Sequence, residues 1–94
     1  MIKLDNDCLI IAPTGDFTIY TVEQAHKEVL AHLNSITKIK LELQDCTKID
    51  SASFQFLIAL YKETKQREYV WEVNRACENI IEFISFYNMN EILK

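Results

Sequence analysis

Apolar residues recur along this chain at two different spacings, and these spacings predict its secondary structure. Alternating apolar and polar positions over residues 39–43 and 69–73 predict two strands with one covered face. Two more short strands are predicted at residues 2–4 and 8–12, joined by a hairpin turn at residues 5–7. Apolar residues three and four positions apart predict a helix over about residues 22–33 and two more helices in the second half of the chain.

Polar residues set the expected boundaries of these helices. Each helical segment follows residue types that cap helix N-termini: Thr21 with Gln24 in a capping box, then Asp50 or Ser51, then Asn74. Asn88 stands where helices commonly end on a left-handed residue. The only proline and the only glycine, Pro13 and Gly15, lie close together and give the clearest turn signal. Residues 89–94 are expected to form a last turn or a short strand.

The resulting order of elements is β-β-α-β-α-β-α, and it predicts the class of fold. A strand, helix, strand succession implies parallel strands joined by right-handed crossovers. Strands that alternate, rather than run continuously apolar, indicate a sheet covered mainly on one face. We therefore expect an α/β fold in a single domain over residues 1–94, with a mixed sheet of four to five strands and three helices mainly on one face.

The distribution of charge limits the classes of partner. The formal net charge is -4, with ten basic residues scattered among fourteen acidic ones. Binding to nucleic acid or to an anionic membrane surface depends on clustered Lys and Arg, which this sequence lacks. The N-terminal residues carry charge, and no apolar stretch reaches the ~18 residues that span a bilayer. These features favour a cytoplasmic protein that binds other proteins, without nucleic acid and without membrane insertion.

Residue types that carry catalysis or bind metals lack the necessary spacing. Cys8, Cys46 and Cys77 are an odd number without a Cys-x-x-Cys pair, which favours reduced thiols over disulfides or zinc. His26 and His32 lie six positions apart on the predicted helix, on faces that cannot share a metal. A single glycine excludes a glycine-rich phosphate loop. We expect no cofactor, no metal and no enzymatic activity.

One segment, residues 41–60, resembles the signature of the STAS domain family; its sequence is LELQDCTKIDSASFQFLIAL. In that family a strand rich in Leu, Ile and Asp leads into Asp-Ser-(Ser/Ala)-Gly and then into an apolar helix. Residues 15–21, GDFTIYT, resemble the family's second motif, the turn before its first helix. The resemblance extends over nearly the whole chain in the family's order of elements, and it implies the STAS fold.

The resemblance to anti-sigma factor antagonists within this family implies a regulatory serine. In those proteins the Ser of the motif is phosphorylated by a partner kinase with the histidine-kinase-like ATPase fold, which is also the anti-sigma factor. The matching residue is Ser51, and the resemblance implies that phosphorylation releases the partner. A phosphate there would be stabilised by the helix N-terminus and repelled by Asp50. From residue chemistry alone, Asp50 and Ser51 are ordinary helix caps.

Two departures from the motif introduce a second hypothesis. Ser53 replaces the motif's glycine, which places a side chain where a kinase approaches and offers a weaker alternative phosphoacceptor. Thr18 stands where many sigma regulators carry Asp, and residues 18–21 are more similar to STAS proteins of chemotaxis signalling or lipid-transport ABC complexes. The alternative is a constitutive subunit of such an assembly, without phosphorylation.

Both hypotheses use the same expected partner surface, formed by the turn before the first helix and the start of the second. Its members are Asp16, Thr18, Tyr20, Asp50, Ala52, Ser53 and Phe54. The expected oligomeric state is a monomer or a weak dimer.

The last helix carries three aromatic residues, Phe83, Phe86 and Tyr87, in addition to its stripe of isoleucines. Such residues either pack into the core or form a patch that a partner contacts. The sequence leaves both explanations open.

Overall fold

The computed structural model describes residues 1–74 and 76–93, which form strands and helices in alternation. In chain order the elements are β1 (Ile2–Asp5), β2 (Cys8–Ile11), β3 (Gly15–Phe17), α1 (Ile19–His32), β4 (Lys38–Leu41), β5 (Cys46–Ile49), α2 (Ser51–Gln66), β6 (Val70–Val73) and α3 (Glu78–Phe86). Short 3-10 turns follow α1 at Leu33–Ser35 and α3 at Asn90–Leu93.

Four of the strands form the main sheet, in the order β1-β2-β4-β6. β1 and β2 are an antiparallel hairpin, while β2 with β4 and β4 with β6 are parallel pairs. The parallel pairs are connected through α1 and α2, which is the arrangement that a strand, helix, strand succession predicts. The expected α/β fold with a mixed sheet is confirmed.

The alternation along the strands gives the main sheet one covered face. The fully buried side chains of its two central strands are Leu9, Ile11, Ile39 and Leu41. These four side chains form one core with the apolar sides of the helices. On the opposite face Lys38 donates a hydrogen bond to Glu72 at 2.9 Å, and Lys40 lies 3.7 Å from the same carboxylate. Charged side chains on this face explain why the helices pack mainly on the other one.

A second sheet, of the two parallel strands β3 and β5, was not expected from the sequence. These strands contain only three and four residues, too few to show a period, and the two central residues of β5 are both exposed. Gly15 adopts a left-handed φ of 69°, so the expected turn at residues 13–16 ends directly in β3. Because β3 leads into α1 and β5 leads into α2, their parallel pairing places the two helix starts side by side.

The first helix begins three residues earlier than the sequence predicted. α1 starts at Ile19 with an extended Thr18 as its N-cap, so Thr21 is the third helical residue and not the cap. The reciprocal hydrogen bond expected from Gln24 is instead made by Thr21, whose Oγ1 accepts from the Thr18 N–H at 3.2 Å. The earlier start depends on a contact with Asp50, described below, which lies far away in the sequence.

The last helix begins later than predicted, at Glu78, with Cys77 as its N-cap. Asn74 was the expected cap, but its N–H donates to the Leu41 carbonyl at 2.8 Å and so extends the pairing of β6 with β4. The predictions for the residues after α3 agree with the structure. Asn88, after α3, has a φ of 56°. Of the expected segment 89–94, residues 90–93 form a turn, residue 89 precedes it, and residue 94 lies outside the described residues.

Candidate functional site at the start of two helices

The carboxylate of Asp50 joins the N-terminal ends of α1 and α2. Its Oδ1 accepts a hydrogen bond from the Ser53 N–H at 3.0 Å, which caps α2. Its Oδ2 accepts from the Ile19 N–H at 2.9 Å, which caps α1. The first N–H groups of a helix have no partner within the helix, and here one side chain provides an acceptor for both helices. Asp50 therefore fixes the spacing of the two helix starts.

The same hydrogen bonds keep Asp50 ionised. Backbone N–H groups of Ser53 and Ile19 donate to the carboxylate and hold the pKa of Asp50 below its ordinary value of 3.8, because they stabilise the charged form. The negative charge is therefore present at neutral pH and is directed towards the two helix N-termini. A negative charge is favourable in that position because the helix dipole is positive at its N-terminal end.

Ser51 is the first residue of α2, and its side chain is exposed. No hydrogen bond of its hydroxyl is found within residues 1–74 and 76–93, whereas the hydroxyls of Ser53 and Thr21 are both bonded. Its neighbour Asp50 occupies the cap, so the Ser51 hydroxyl is not needed to cap the helix. The structure thus places an accessible hydroxyl at the point where α1 and α2 begin.

The side chain of Ser53 does not have the exposure that the sequence predicted. The residue was expected to present its side chain to a partner, but it is fully buried. Its Oγ accepts from the Asp50 N–H at 3.0 Å and lies 3.1 Å from the Asp50 carbonyl, to which it donates. These bonds complete a capping box in which Ser occupies the position that Glu or Gln usually fills. Ser53 therefore stabilises the helix start and is not accessible as an alternative phosphoacceptor in this conformation.

Phe54, also expected at the partner surface, is buried as well, with 5% of its surface exposed. Its ring packs edge-on against Phe83, with centroids 5.5 Å apart, and lies 5.1 Å from the ring of Tyr87. Position 54 is buried because the rings of Phe83 and Tyr87 cover it. Its contribution to a surface is therefore indirect, through the α3 residues that it supports.

The remaining residues of the expected surface do come together. Asp16 and Tyr20 are exposed, and Thr18 and Ala52 are partly exposed. The Ile19–Asp50 hydrogen bond connects the turn at residues 16–20 with the start of α2. Sequence reasoning missed Ile19, whose side chain is 59% exposed beside Tyr20 at 93%. The signal that could have found it is the pair of adjacent apolar residues, Ile19 and Tyr20, which lie outside the apolar stripe of α1 and face solvent.

Comparison with protein families identifies the chain. The model described as "Mlab, STAS domain" matches residues 1–94, the whole sequence. The chain belongs to the STAS domain family. The expectation of a STAS domain, drawn from residues 41–60 and 15–21, is confirmed.

Solved structures show the same fold. The anti-sigma factor antagonist SpoIIAA in its unphosphorylated form superimposes on this STAS domain with a TM-score of 0.87 at 11% sequence identity, covering 100% of this chain and 84% of that one. The Bacillus cell fate determinant SpoIIAA in its phosphorylated form gives a TM-score of 0.81 at 11% identity, with 100% and 87% covered. The protein TM1081, solved by NMR, gives a TM-score of 0.83 at 25% identity, with 99% and 76% covered. No curated protein sequence matches this domain significantly.

Three further observations concern chemistry and membranes. The described part of the chain contains no group of three or more His, Cys, Asp and Glu residues that could hold a metal ion. Cys46 is buried, which raises the pKa of its thiol, and Cys8, Cys46 and Cys77 are free thiols. None of the helices in residues 1–74 and 76–93 is both long and apolar enough to cross a membrane.

Proposed function

We propose that this STAS domain is a non-enzymatic regulatory module that binds a protein partner and is switched by phosphorylation of Ser51. The partner is a serine kinase of the histidine-kinase-like ATPase fold, as in anti-sigma factor antagonists. The observation that carries the proposal is the exposed Ser51 hydroxyl at the shared start of α1 and α2, beside a cap that Asp50 already provides.

The position of Ser51 lets the fold tolerate a phosphate. Phosphorylation adds a charge of about -1.5 to -2 at neutral pH. Two helix N-termini lie next to the hydroxyl and favour that charge, while both carboxylate oxygens of Asp50 are already engaged by N–H groups. Replacing the Ser51 hydroxyl by a phosphate disturbs no side-chain hydrogen bond found in the described residues. The phosphorylated domain should therefore keep its structure.

The same phosphate changes what a partner contacts. Ile19 and Tyr20 provide exposed apolar surface at the start of α1, and the Ile19–Asp50 hydrogen bond joins this helix start to the start of α2, where Ser51 lies. A partner that covers these side chains must also remove water from position 51. Burying a hydroxyl costs little when it finds a hydrogen-bond partner, whereas burying a phosphate costs far more unless it is paired with cations. A partner fitted to the unphosphorylated surface would therefore be released.

The experiment uses a histidine-kinase-like ATPase-fold kinase from the same genome, incubated with ATP and the domain, with phosphate counted by intact mass. We expect one phosphate on the wild type and none on Ser51→Ala. Ser35→Ala is the matched control, because Ser35 is also exposed but lies after α1. Undiminished phosphate uptake by Ser51→Ala would overturn the assignment. The constitutive-subunit hypothesis instead expects a stable complex that persists with Ser51→Asp.

A further inference from the structure

The C-terminal end of α3 carries a patch of three aromatic side chains, which we call the α3 patch: the partly buried Phe83 and the exposed Phe86 and Tyr87. Phe86 is 80% exposed and Tyr87 is 48% exposed. Together with Asn79 and Glu82 the three rings line an open depression of about 350 Å³. Exposed aromatic rings gathered in one place are unusual on a surface that only contacts water, and they are enriched at protein interfaces.

The α3 patch is built on a rigid base. Phe83 packs edge-on against the buried Phe54 at 5.5 Å, Tyr87 lies tilted against Phe83 at 5.4 Å, and Phe86 packs edge-on against Tyr87 at 5.2 Å. The chain of ring contacts therefore leads from the core at Phe54 to the solvent at Phe86. Rings held in this way lose little conformational freedom when a partner covers them, which favours binding.

An acidic side chain lies at the edge of the patch. Among the described residues that line the depression, Glu82 is the one with a charged side chain. Glu78 and Glu82 are exposed on α3 itself, and Glu82 lines the depression. A partner segment with basic residues at the rim would therefore bind best, because complementary charge across an interface favours association and like charge opposes it.

We propose that the α3 patch is a docking surface for a protein segment that places an apolar side chain among the three rings and surrounds it with Lys or Arg. Two other occupants fit the charges less well. A second copy of this domain would bring carboxylates against carboxylates, and an anionic lipid surface would be repelled. The proposal concerns a different surface from the Ser51 hydroxyl and holds whether or not Ser51 is phosphorylated.

The test is an NMR titration of the ¹⁵N-labelled full chain with a short synthetic peptide of Leu and Lys, with Leu at helical spacing. We expect saturable shifts in the amides of residues 79–87 that weaken with added salt. Phe86→Ser should lower the affinity about tenfold or more. Since Phe86 is largely exposed, this variant should fold normally. The matched control is Leu30→Ser, which removes an exposed apolar side chain from α1 and should leave the affinity unchanged.

Other outcomes contradict the proposal. A peptide with Glu in place of Lys should not bind. Equal affinity for the two peptides would show that basic residues are not needed, which contradicts the proposal. Shifts confined to residues outside 79–87, or an unchanged affinity in Phe86→Ser, would place the binding elsewhere. Concentration-dependent broadening of residues 79–87 without peptide would show a second copy as the occupant. Binding of these residues to anionic phospholipid vesicles would show a lipid surface.

Discussion

The carboxylate of Asp50 accepts a hydrogen bond from the backbone N–H of Ile19 at 2.9 Å, although the two residues are 31 positions apart in the sequence. The same side chain caps α2 through the Ser53 N–H. One residue thus connects the turn before α1 with the helix that begins at Ser51. The relative position of the two halves of the proposed partner surface depends on this contact.

Replacing Asp50 should loosen both helix starts. In Asp50→Asn the side chain keeps its size but loses its charge and one of its two oxygens, so it can no longer accept from both N–H groups. We expect a lower Tm and faster hydrogen exchange at the amides of residues 19 and 53. Asp45→Asn is the control, because Asp45 is exposed in the preceding loop. Equal exchange in the two variants would show that the Asp50 contacts do not hold the helix starts.

Acid should weaken the domain partly through Asp50. Its pKa is lower in the folded state than its ordinary value of 3.8, so the stabilisation is present above that value and is lost as the pH falls through the folded-state pKa. Glu72, whose pKa is lowered by its hydrogen bond from Lys38, contributes in the same way. Urea unfolding followed from about pH 6 down to about pH 2 should therefore show a smaller loss of stability in Asp50→Asn than in wild type. Identical pH profiles would contradict the lowered pKa of Asp50.

Ser53 should matter for stability and Ser51 should not. Ser53→Ala removes the hydroxyl that completes the cap, and we expect the free energy of unfolding to fall by about 1 kcal/mol, the usual size of a lost cap. Ser53→Gly, which restores the family's glycine, should cost more because glycine weakens a helix by up to about 1 kcal/mol relative to alanine. Ser51→Ala, on the same turn, should change stability little. Urea unfolding of the three variants measures this, and a larger loss in Ser51→Ala than in Ser53→Ala would reverse our assignment of the cap.

Phe54 should connect the core to the α3 patch. Phe54→Ala removes a buried ring that contacts Phe83 and Tyr87, and we expect a loss of about 3–5 kcal/mol in the free energy of unfolding. Phe86→Ala removes an exposed ring of the same type and should cost little. Denaturant unfolding compares the two variants directly. A similar loss in both would show that Phe86 is part of the core.

The sequence predicted the order of the main elements because alternation and helical spacing are local patterns. It also identified Asp50 as a possible cap and Ser51 as an accessible residue beside it. It could not predict the start of α1 at Ile19, since the acceptor for that N–H comes from a residue 31 positions away. The pairing of β3 with β5 was missed for a different reason, because strands of three or four residues are too short to show a period.

Two members of the expected partner surface were misplaced for a different physical reason. Ser53 and Phe54 follow an exposed serine and fall in the family motif, which suggested that they share its exposure. A helix turns by about 100° per residue, so Ser53 lies about 200° from Ser51 and faces the interior, where it bonds to Asp50. Phe54 is covered instead by Phe83 of α3, a contact between residues far apart in the sequence. The exposed surface is better described by Asp16, Ile19, Tyr20 and Ser51.

The measurement that tests the central claim most directly is the affinity of the partner kinase for the domain before and after phosphorylation of Ser51, by calorimetry with a non-hydrolysable ATP analogue. We expect tight binding of the unphosphorylated domain and at least about tenfold weaker binding once Ser51 carries phosphate, a difference of about 1.4 kcal/mol or more. Equal affinities of the two forms would contradict the switch and leave the domain as a constitutive docking subunit.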